Sequence, residues 1–265
     1  MNRMLFRTGR LTLASLLALA AGATADDVAI VRGTSGLAVD EYFTLAEAYG
    51  FPGAILVARG GEVVLRKGYG LTDKKKGIYN SANTAFGIAS LDKQFTATAI
   101  LILEKKGSLS VFDPISWHLP DVPPDKSDVT IHHLLSHSSG IGDYYRDSFP
   151  DLDFVAYLRA ILSKPLESKP GERFAYTNCG YDLLVRIVEI ASRNRYEQFL
   201  KDNLFRPVGL KQTGYRLVDW PAERIGQYED NPHWNPDFPG TKNDPVNLFF
   251  RCARRSKTLV SGAQR

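Results

Sequence analysis

Cysteine is scarce in this sequence, and its scarcity limits the kinds of site that the chain can form. Two cysteines occur among 265 residues, Cys179 and Cys252. They could pair in an oxidising compartment or remain as two thiols, because sequence alone does not place them within bonding distance. No spacing of cysteine and histidine matches a structural zinc site, so no zinc-stabilised fold is expected.

Long hydrophobic runs are also lacking beyond the N-terminus. Arg3, Arg7 and Arg10 precede a 13-residue apolar run at 11–23. Small residues at 23–25 end this segment. This run is well short of the ~20 residues that a membrane-spanning helix needs. The pattern is typical of a cleaved secretory signal. Residues 1–25 are therefore predicted to be a signal peptide, and the mature protein to be periplasmic or secreted without a stable membrane span.

Most of the chain lacks an excess of positive charge. The net charge is +4, but residues 1–25 hold three arginines, residues 246–265 hold five basic residues, and neither segment holds an acid. Subtracting these eight charges leaves −4 on residues 26–245. A mildly acidic body offers no electrostatic surface for nucleic acid, so no nucleic-acid partner is expected.

Strand patterns come early in the chain and helical patterns follow. Two strand-like runs flank Gly60 and Gly61, which predicts a hairpin that further strands must join. Helices are predicted in five later places (90–106 closed by Gly107, a short helix within 130–140, 153–162, from 178, and from 196 to before Pro207). A hairpin followed by a largely helical middle predicts an α/β (α+β) fold whose sheet carries a helical lobe.

A Ser-x-x-Lys pair stands where a small-residue stretch turns into a helical pattern. Ser90 and Lys93 would lie on one helix face within reach of each other. The N–H groups of a first helical turn point outward, so that of Ser90 could help to hold an oxyanion. A dry pocket and the positive helix end would disfavour an ammonium, which lets the Lys93 amine accept the serine proton. An ordinary exposed serine and lysine are the alternative.

A second polar group, "YTN" at 176–178, precedes a predicted helix. With the Ser-x-x-Lys pair, Tyr176 and Asn178 resemble the motifs of the serine β-lactamase and penicillin-binding protein superfamily, whose first motif is S-x-x-K. Tyr-x-Asn in place of Ser-x-Asn is similar to the branch of class C β-lactamases, D,D-carboxypeptidases and esterases. Segments across 45–217, among them "VTIHHLLSHSSGIGDY" and "LFRPVGLKQTGY", resemble running text of that family in the expected order.

The resemblance implies a role for each of these residues. Ser90 would be the acylated nucleophile and Lys93 its base. Tyr176 would carry protons to the leaving group, and Asn178 would hold the substrate carbonyl. A phenol needs a nearby cation to exchange protons near neutral pH, which Lys93 could supply; a core aromatic is the alternative for Tyr176. The family implies an antiparallel sheet flanked by helices, and neither a cofactor nor a metal.

Two other enzyme classes fit the sequence poorly. His132, His133 and His137 lack the interleaved glutamate of H-E-x-x-H and an evident third ligand, so packing and hydrogen bonding are predicted for them. The nucleophile pattern G-x-S-x-G is absent around Ser90 because Asp92 takes the place of the second glycine. Asp92 is favoured by the helix dipole, and whether it also tunes Lys93 is open.

One motif of the resembled family is missing. Its third box, Lys-Thr-Gly or His-x-Gly, lies on a strand opposite the serine and supplies a second oxyanion donor. The stretch 257–259, Lys-Thr-Leu, lacks the glycine and any surrounding strand alternation, so it is not predicted to be that box. We expect a domain at 26–245 that is incomplete at its C-terminus, with an incomplete sheet and an atypical basic tail at 246–265.

These patterns together predict an exported serine hydrolase that acts on amide or ester bonds through an acyl-enzyme. Peptidoglycan D-alanyl peptides, β-lactams and small esters all stay open as substrates, and no oligomeric state is predicted. The alternative is a noncatalytic relative that only binds ligand, because losing one oxyanion donor costs about 10²–10³ in rate.

Overall fold

The computed structural model describes residues 28–144, 152–210 and 213–214, and the backbone of 260–262. Within these residues the strands form three small antiparallel sheets, with the orders β1-β3-β2, β4-β5 and β6-β8-β7. The strands are β1 Ile30–Val31, β2 Gly53–Arg59, β3 Glu62–Tyr69, β4 Leu71–Asp73, β5 Ile78–Tyr79, β6 Ala85–Gly87, β7 Thr213–Gly214 and β8 Val260–Gly262. The α-helices are α1 Gly33–Ala48, α2 Lys93–Lys105, α3 Ile131–Leu135, α4 Phe154–Leu162, α5 Asn178–Ser192 and α6 Tyr196–Leu200.

The predicted hairpin is confirmed. Strands β2 and β3 pair from Gly53 opposite Tyr69 to Arg59 opposite Glu62. The two turn glycines have φ angles of +61° and +83°, as the tight turn that matches strand twist requires. Strand β1 joins the hairpin on the β3 side, so the two strands do not stand alone.

Helix α1 is an element that the sequence patterns did not predict. It begins with Gly-Thr-Ser-Gly, four residues with modest or poor helix propensity. Packing explains its presence, because α1 lies against β3. A Cβ atom at Gly36 would overlap the carbonyl oxygen of Val64, so glycine permits this close approach. A tertiary contact has overridden a weak local preference.

The helical lobe is built around α5, which contacts α2, α3, α4 and α6. The apolar residues that predicted α5 lie in the core, since Leu183, Leu184, Ile187 and Val188 are each 0% exposed. Truncating such a buried leucine or isoleucine to alanine costs about 2–5 kcal/mol. The lobe is therefore the stable support on which the segment ahead of α5 rests.

The other predicted helices are present with small shifts at their ends. Helix α2 closes at Gly107, where the N–H groups of Gly107 and Ser108 bond the carbonyls of Glu104 and Leu103, a common glycine ending. After α6 the chain makes one π-helical turn, Lys201–Phe205, before Pro207. The α/β (α+β) prediction is confirmed. No helix in the described part of the chain is long and apolar enough to cross a membrane.

Strand β8 corrects one expectation from the sequence. No strand was expected near 257–259, because the residues there do not alternate as in a strand. Residues 260–262 pair with both β6 and β7. The open edge of β6 offers unpaired N–H and C=O groups that can bind a short extended segment without an alternating sequence. Residues 257–259 themselves lie outside the described residues, as do 1–25, the boundary near 245 and Cys252.

Candidate active site

Ser90 lies in a 3₁₀ turn, Ala89–Asp92, between strand β6 and helix α2. The sequence pattern placed the start of the α-helix at Ser90, which is wrong, because α2 begins at Lys93. The physical reason lies at Ala89, whose φ of +44° is in the left-handed region that costs a non-glycine residue about 1–2 kcal/mol. This sharp bend carries the chain from the strand into the helix and leaves Ser90 exposed.

The four side chains singled out by the sequence meet at this turn. Lys93 Nζ lies 3.1 Å from Ser90 Oγ and 2.8 Å from Asn178 Oδ1, and it donates to both oxygens. Tyr176 Oη lies 2.7 Å from Ser90 Oγ. The hydroxyl of Ser90 thus has an amine and a phenol within hydrogen-bond reach, which is the arrangement that an activated serine needs.

The lysine and the serine of this cluster have different surroundings. Lys93 is 7% exposed, and its Nζ lies 4.9 Å from the ring centre of Tyr176 and 5.5 Å from that of Tyr181. Aromatic faces attract a cation at such distances. Lys93 is therefore buried, as a dry pocket requires, whereas Ser90 faces solvent in the part of the chain that the structure describes.

Asp143 holds Asn178 at the start of helix α5. Its Oδ1 accepts the backbone N–H of Asn178 at 2.7 Å and the hydroxyl of Thr177 at 3.3 Å. Its Oδ2 accepts a side-chain N–H of Asn178 at 3.3 Å. A carboxylate at a helix N-terminus satisfies a free N–H and is favoured by the helix dipole. Asp143 therefore fixes both the backbone and the amide of a predicted site residue.

His137 holds the neighbouring Tyr176 through ring and backbone contacts. Its ring centre lies 4.6 Å from that of Tyr176 and 5.0 Å from that of Tyr181. Its Nδ1 accepts the N–H of Thr177 at 3.3 Å, and its carbonyl accepts the N–H of Ala175 at 2.8 Å. The segment that carries Tyr176 is therefore fixed on both sides of the phenol.

The charge state of His137 suits this contact. Burial lowers the pKa of the His137 imidazole, nearby Lys93 lowers it further, and Asp143 acts in the opposite direction. A lowered pKa keeps the imidazole neutral at pH 7, so that Nδ1 can accept a hydrogen bond. Protonation would place an N–H group against the N–H of Thr177.

Asp92 is buried beneath the turn and is 2% exposed. Burial raises the pKa of its carboxyl to about 8, Lys93 acts to lower it, and Asp182 raises it further. A carboxyl with such a pKa is mostly protonated at neutral pH. The sequence left open whether Asp92 tunes Lys93. At neutral pH it does not supply a full negative charge to the lysine.

Cys179 is a buried free thiol in the described part of the chain. Burial raises the pKa of this thiol to about 12, and Asp182 also raises it. A thiol without thiolate character is unreactive. Its neighbour Tyr157 donates a hydrogen bond to Asp182 at 3.0 Å, so this corner of the core is a packed polar cluster.

Two further histidines, His132 and His133, make local contacts. His133 forms a capping box with Thr130, in which each side chain accepts the other residue's backbone N–H at 3.2 Å. The ring of His132 lies 5.7 Å from that of Phe112. Among residues 28–144, 152–210 and 213–214, no three histidine, cysteine or acidic side chains are grouped so that they could hold a metal ion.

A family profile described as Beta-lactamase matches residues 38–250, which is most of the chain. The chain belongs to the beta-lactamase family. The resemblance inferred from the Ser-x-x-Lys and Tyr-x-Asn motifs is therefore confirmed.

Comparisons with individual proteins agree with the assignment of this chain to the beta-lactamase family. Penicillin-binding protein 4* of Bacillus subtilis is 35% identical over 193 residues, which cover 70% of this chain and 42% of that protein. Protein flp of Staphylococcus aureus is 35% identical over 183 residues, which cover 65% and 36%. The solved penicillin-binding protein of Bacillus halodurans is 30% identical with a TM-score of 0.63, over 83% of this chain and 66% of that one. The matched part of the chain thus spans less than half the length of these curated relatives.

One residue of the site was missed by motif reasoning. Asp143 was not singled out, although an acid in the glycine- and serine-rich loop "HSSGIGDY" is typical of a turn or capping position. His137 was assigned to packing and hydrogen bonding, which is confirmed, and its partner is the Tyr176 segment. Both contacts join segments that are far apart in the chain, so no local pattern reveals them.

Proposed function

We propose that this member of the beta-lactamase family is a serine hydrolase that cleaves an amide or ester bond through an acyl-enzyme on Ser90. The observation that carries this proposal is the contact of Ser90 Oγ with two proton-carrying groups, Lys93 Nζ at 3.1 Å and Tyr176 Oη at 2.7 Å. A serine hydroxyl is a weak nucleophile unless a base removes its proton. Both groups lie within the distance that proton transfer needs.

The proposed reaction has two steps. Ser90 Oγ attacks the substrate carbonyl carbon while its proton passes to the Lys93 amine. The backbone N–H of Ser90 stabilises the negative oxygen. Tyr176 then relays the proton to the leaving oxygen or nitrogen as the C–O or C–N bond breaks. Water attacks the acyl-enzyme in the second step, releases the acid and restores the Ser90 hydroxyl.

Asn178 is proposed to bind the substrate carbonyl. One side-chain N–H of Asn178 is bonded to Asp143 and its Oδ1 is bonded to Lys93. An amide has two N–H donors, so the second N–H can be directed at the substrate. This places the substrate beside the lysine and the serine.

The proposed substrates are β-lactams, D-alanyl peptides of peptidoglycan, or small esters. Two of the relatives are named penicillin-binding proteins, which supports the first of these substrates. The solvent-exposed position of Ser90 supports a substrate that arrives from outside. We also propose that the protein works in the periplasm or outside the cell, on the basis of the secretory pattern at residues 1–25.

The proposal is tested by labelling the purified chain with a fluorescent penicillin and with a fluorescent fluorophosphonate. Three proteins are compared: the unmodified chain, Ser90→Ala, and the control Ser163→Ala, which removes an exposed serine at the end of α4. We expect both probes or one of them to label the first and third proteins and not Ser90→Ala. A folded but unlabelled chain would favour a relative that binds ligand without turnover.

The pH dependence of labelling gives a second test. Because the mechanism needs a proton acceptor beside Ser90, the labelling rate is expected to fall as the site is protonated. A rate that stays constant from about pH 5 to pH 9 would contradict the roles of Lys93 and Tyr176.

A further inference from the structure

We propose that Asp143 is a positioning residue that sets the orientation of the Asn178 amide and, through it, the position of Lys93. This inference rests on the proposed function of Ser90. Asp143 binds Thr177 and Asn178 through three hydrogen bonds, and Asn178 in turn binds Lys93. The influence of Asp143 on the reaction therefore passes through the asparagine.

The chemistry of the two neighbours allows one orientation of the amide. Asn178 lies between Asp143 Oδ2, which is 3.3 Å from its Nδ2, and Lys93 Nζ, which is 2.8 Å from its Oδ1. A carboxylate only accepts hydrogen bonds, so Asp143 Oδ2 requires the N–H side of the amide to face it. Rotating the amide by half a turn would set its oxygen against the carboxylate, which is repulsive. The rotation would also remove the oxygen that accepts the hydrogen bond of Lys93 Nζ.

The backbone of Asn178 is held by the same carboxylate. Asp143 Oδ1 accepts the first N–H of helix α5 at 2.7 Å, and the Thr177 hydroxyl also bonds the carbonyl of Gly142 at 3.2 Å. Residues 142–143 thus hold residues 177–178 through several hydrogen bonds. With both backbone and amide fixed, Asn178 Oδ1 anchors Lys93 Nζ within reach of Ser90.

The fixed orientation has a consequence for substrate binding. Because one N–H of the Asn178 amide goes to Asp143, the other is held in a defined direction for the substrate carbonyl. Loss of Asp143 would let the amide rotate, which would weaken this donor and release Lys93. Misplacing a reacting group by about 1 Å can cost about a hundredfold in rate.

A double-mutant cycle tests this role on the full chain. Rates of Ser90 labelling by the fluorophosphonate and the fluorescent penicillin are measured for the unmodified chain, Asp143→Asn, Asn178→Ala and the double variant. Each single change is expected to slow labelling by about ten- to a hundredfold. If Asp143 acts through the Asn178 amide, the double variant is no more than about threefold slower than Asn178→Ala alone.

A matched control separates amide orientation from simple helix capping. Asp153 caps α4 by accepting the N–H of Ala156 at 2.8 Å, and it lies outside the proposed site. Asp153→Asn removes the charge at a comparable helix start and is expected to leave the labelling rate unchanged. Thermal unfolding of all variants, followed by circular dichroism, confirms that the labelled proteins are folded.

The outcomes are distinct. Full additivity of the two changes, or wild-type labelling by Asp143→Asn, would overturn the inference and leave the proposed function standing. Failure of the unmodified chain to label at Ser90 would instead refute the proposed function. If Asp143→Asn does not fold, Asp143→Glu enters the same cycle, since its longer side chain also displaces the carboxylate from the amide, and the same non-additivity is expected.

Discussion

Replacing Asp92 with asparagine is expected to stabilise the protein, and the gain should grow as the pH rises. The side chain is 2% exposed, and its Oδ1 has no hydrogen-bond partner among the described residues. Burial raises the pKa of this carboxyl to about 8, because removing an ionised group from water is costly. Asparagine has nearly the same shape and carries no charge to desolvate.

The size of the effect follows from the two ionisation states. The carboxyl has its ordinary pKa of 3.8 in the unfolded chain and a pKa of about 8 in the folded one. Between these values the folded state binds more protons, so the free energy of unfolding falls as the pH rises. One pKa unit corresponds to about 1.36 kcal/mol. Between pH 5 and pH 8 the free energy of unfolding of the unmodified protein therefore falls by about 4 kcal/mol, a loss that the variant does not have. Relaxation and water penetration reduce such penalties, so a relative gain of about 1–4 kcal/mol is expected.

Urea denaturation at pH 5, 6.5 and 8 measures this difference. The control Asp153→Asn replaces an exposed capping carboxylate by an amide that still caps the helix. Only the favourable charge at the helix N-terminus is lost, so this control should destabilise the protein by about 0.5 kcal/mol at neutral pH. Asp92→Asn is thus expected to raise the free energy of unfolding, and Asp153→Asn to lower it slightly. A difference between Asp92→Asn and the unmodified protein that does not change with pH, or a less stable variant at pH 8, would refute the reasoning.

Two further predictions follow from other contacts of the lobe. Because burial lowers the pKa of His137 from 6.5, NMR titration of its imidazole should give a pKa below 6.5. The stability that depends on its hydrogen bond to Thr177 should be lost as the pH falls below that pKa. A measured pKa above 6.5 would contradict this prediction. Gly140 and Gly107 have φ angles of +76° and +71°, but a Cβ at Gly140 would collide with the Ser168 carbonyl and one at Gly107 would meet nothing within 4 Å. Gly107→Ala should therefore lower the free energy of unfolding, measured by urea denaturation, by about 1 kcal/mol. Gly140→Ala should lower it by about 1–3 kcal/mol more. Equal losses for the two variants would show that the collision at Gly140 is relieved.

Local periodicity was enough to predict the β2-β3 hairpin and helix α5, which follows the Tyr176 segment. Turn glycines and alternating residues located the β2-β3 hairpin, and the spacing of Leu183, Leu184 and Ile187 located α5. Ser90 and Lys93 could be paired from the sequence because three residues make about one helical turn. For such short separations, chain geometry alone decides which side chains are neighbours.

Features that depend on contacts between distant parts of the chain were harder to predict from the sequence. The approach of Tyr176 to Ser90 spans 86 residues, and only the resemblance to a known family suggested it. The bend at Ala89 occurs at a residue type that rarely takes a positive φ. Helix α1 depends on its packing against β3, and β8 on the open edge of β6. The position of Tyr176, helix α1 and strand β8 depend on tertiary contacts, which leave no periodic pattern in the sequence.

The 86-residue separation between Ser90 and Tyr176 also has a consequence for folding kinetics. Contacts between distant parts of a chain form only after the entropy of closing a long loop has been overcome. We therefore expect the hydroxyl, amine and phenol to come together late in folding, after α5 has packed against α2. Under the proposed function, Ser90 gains its activating partners only at that stage.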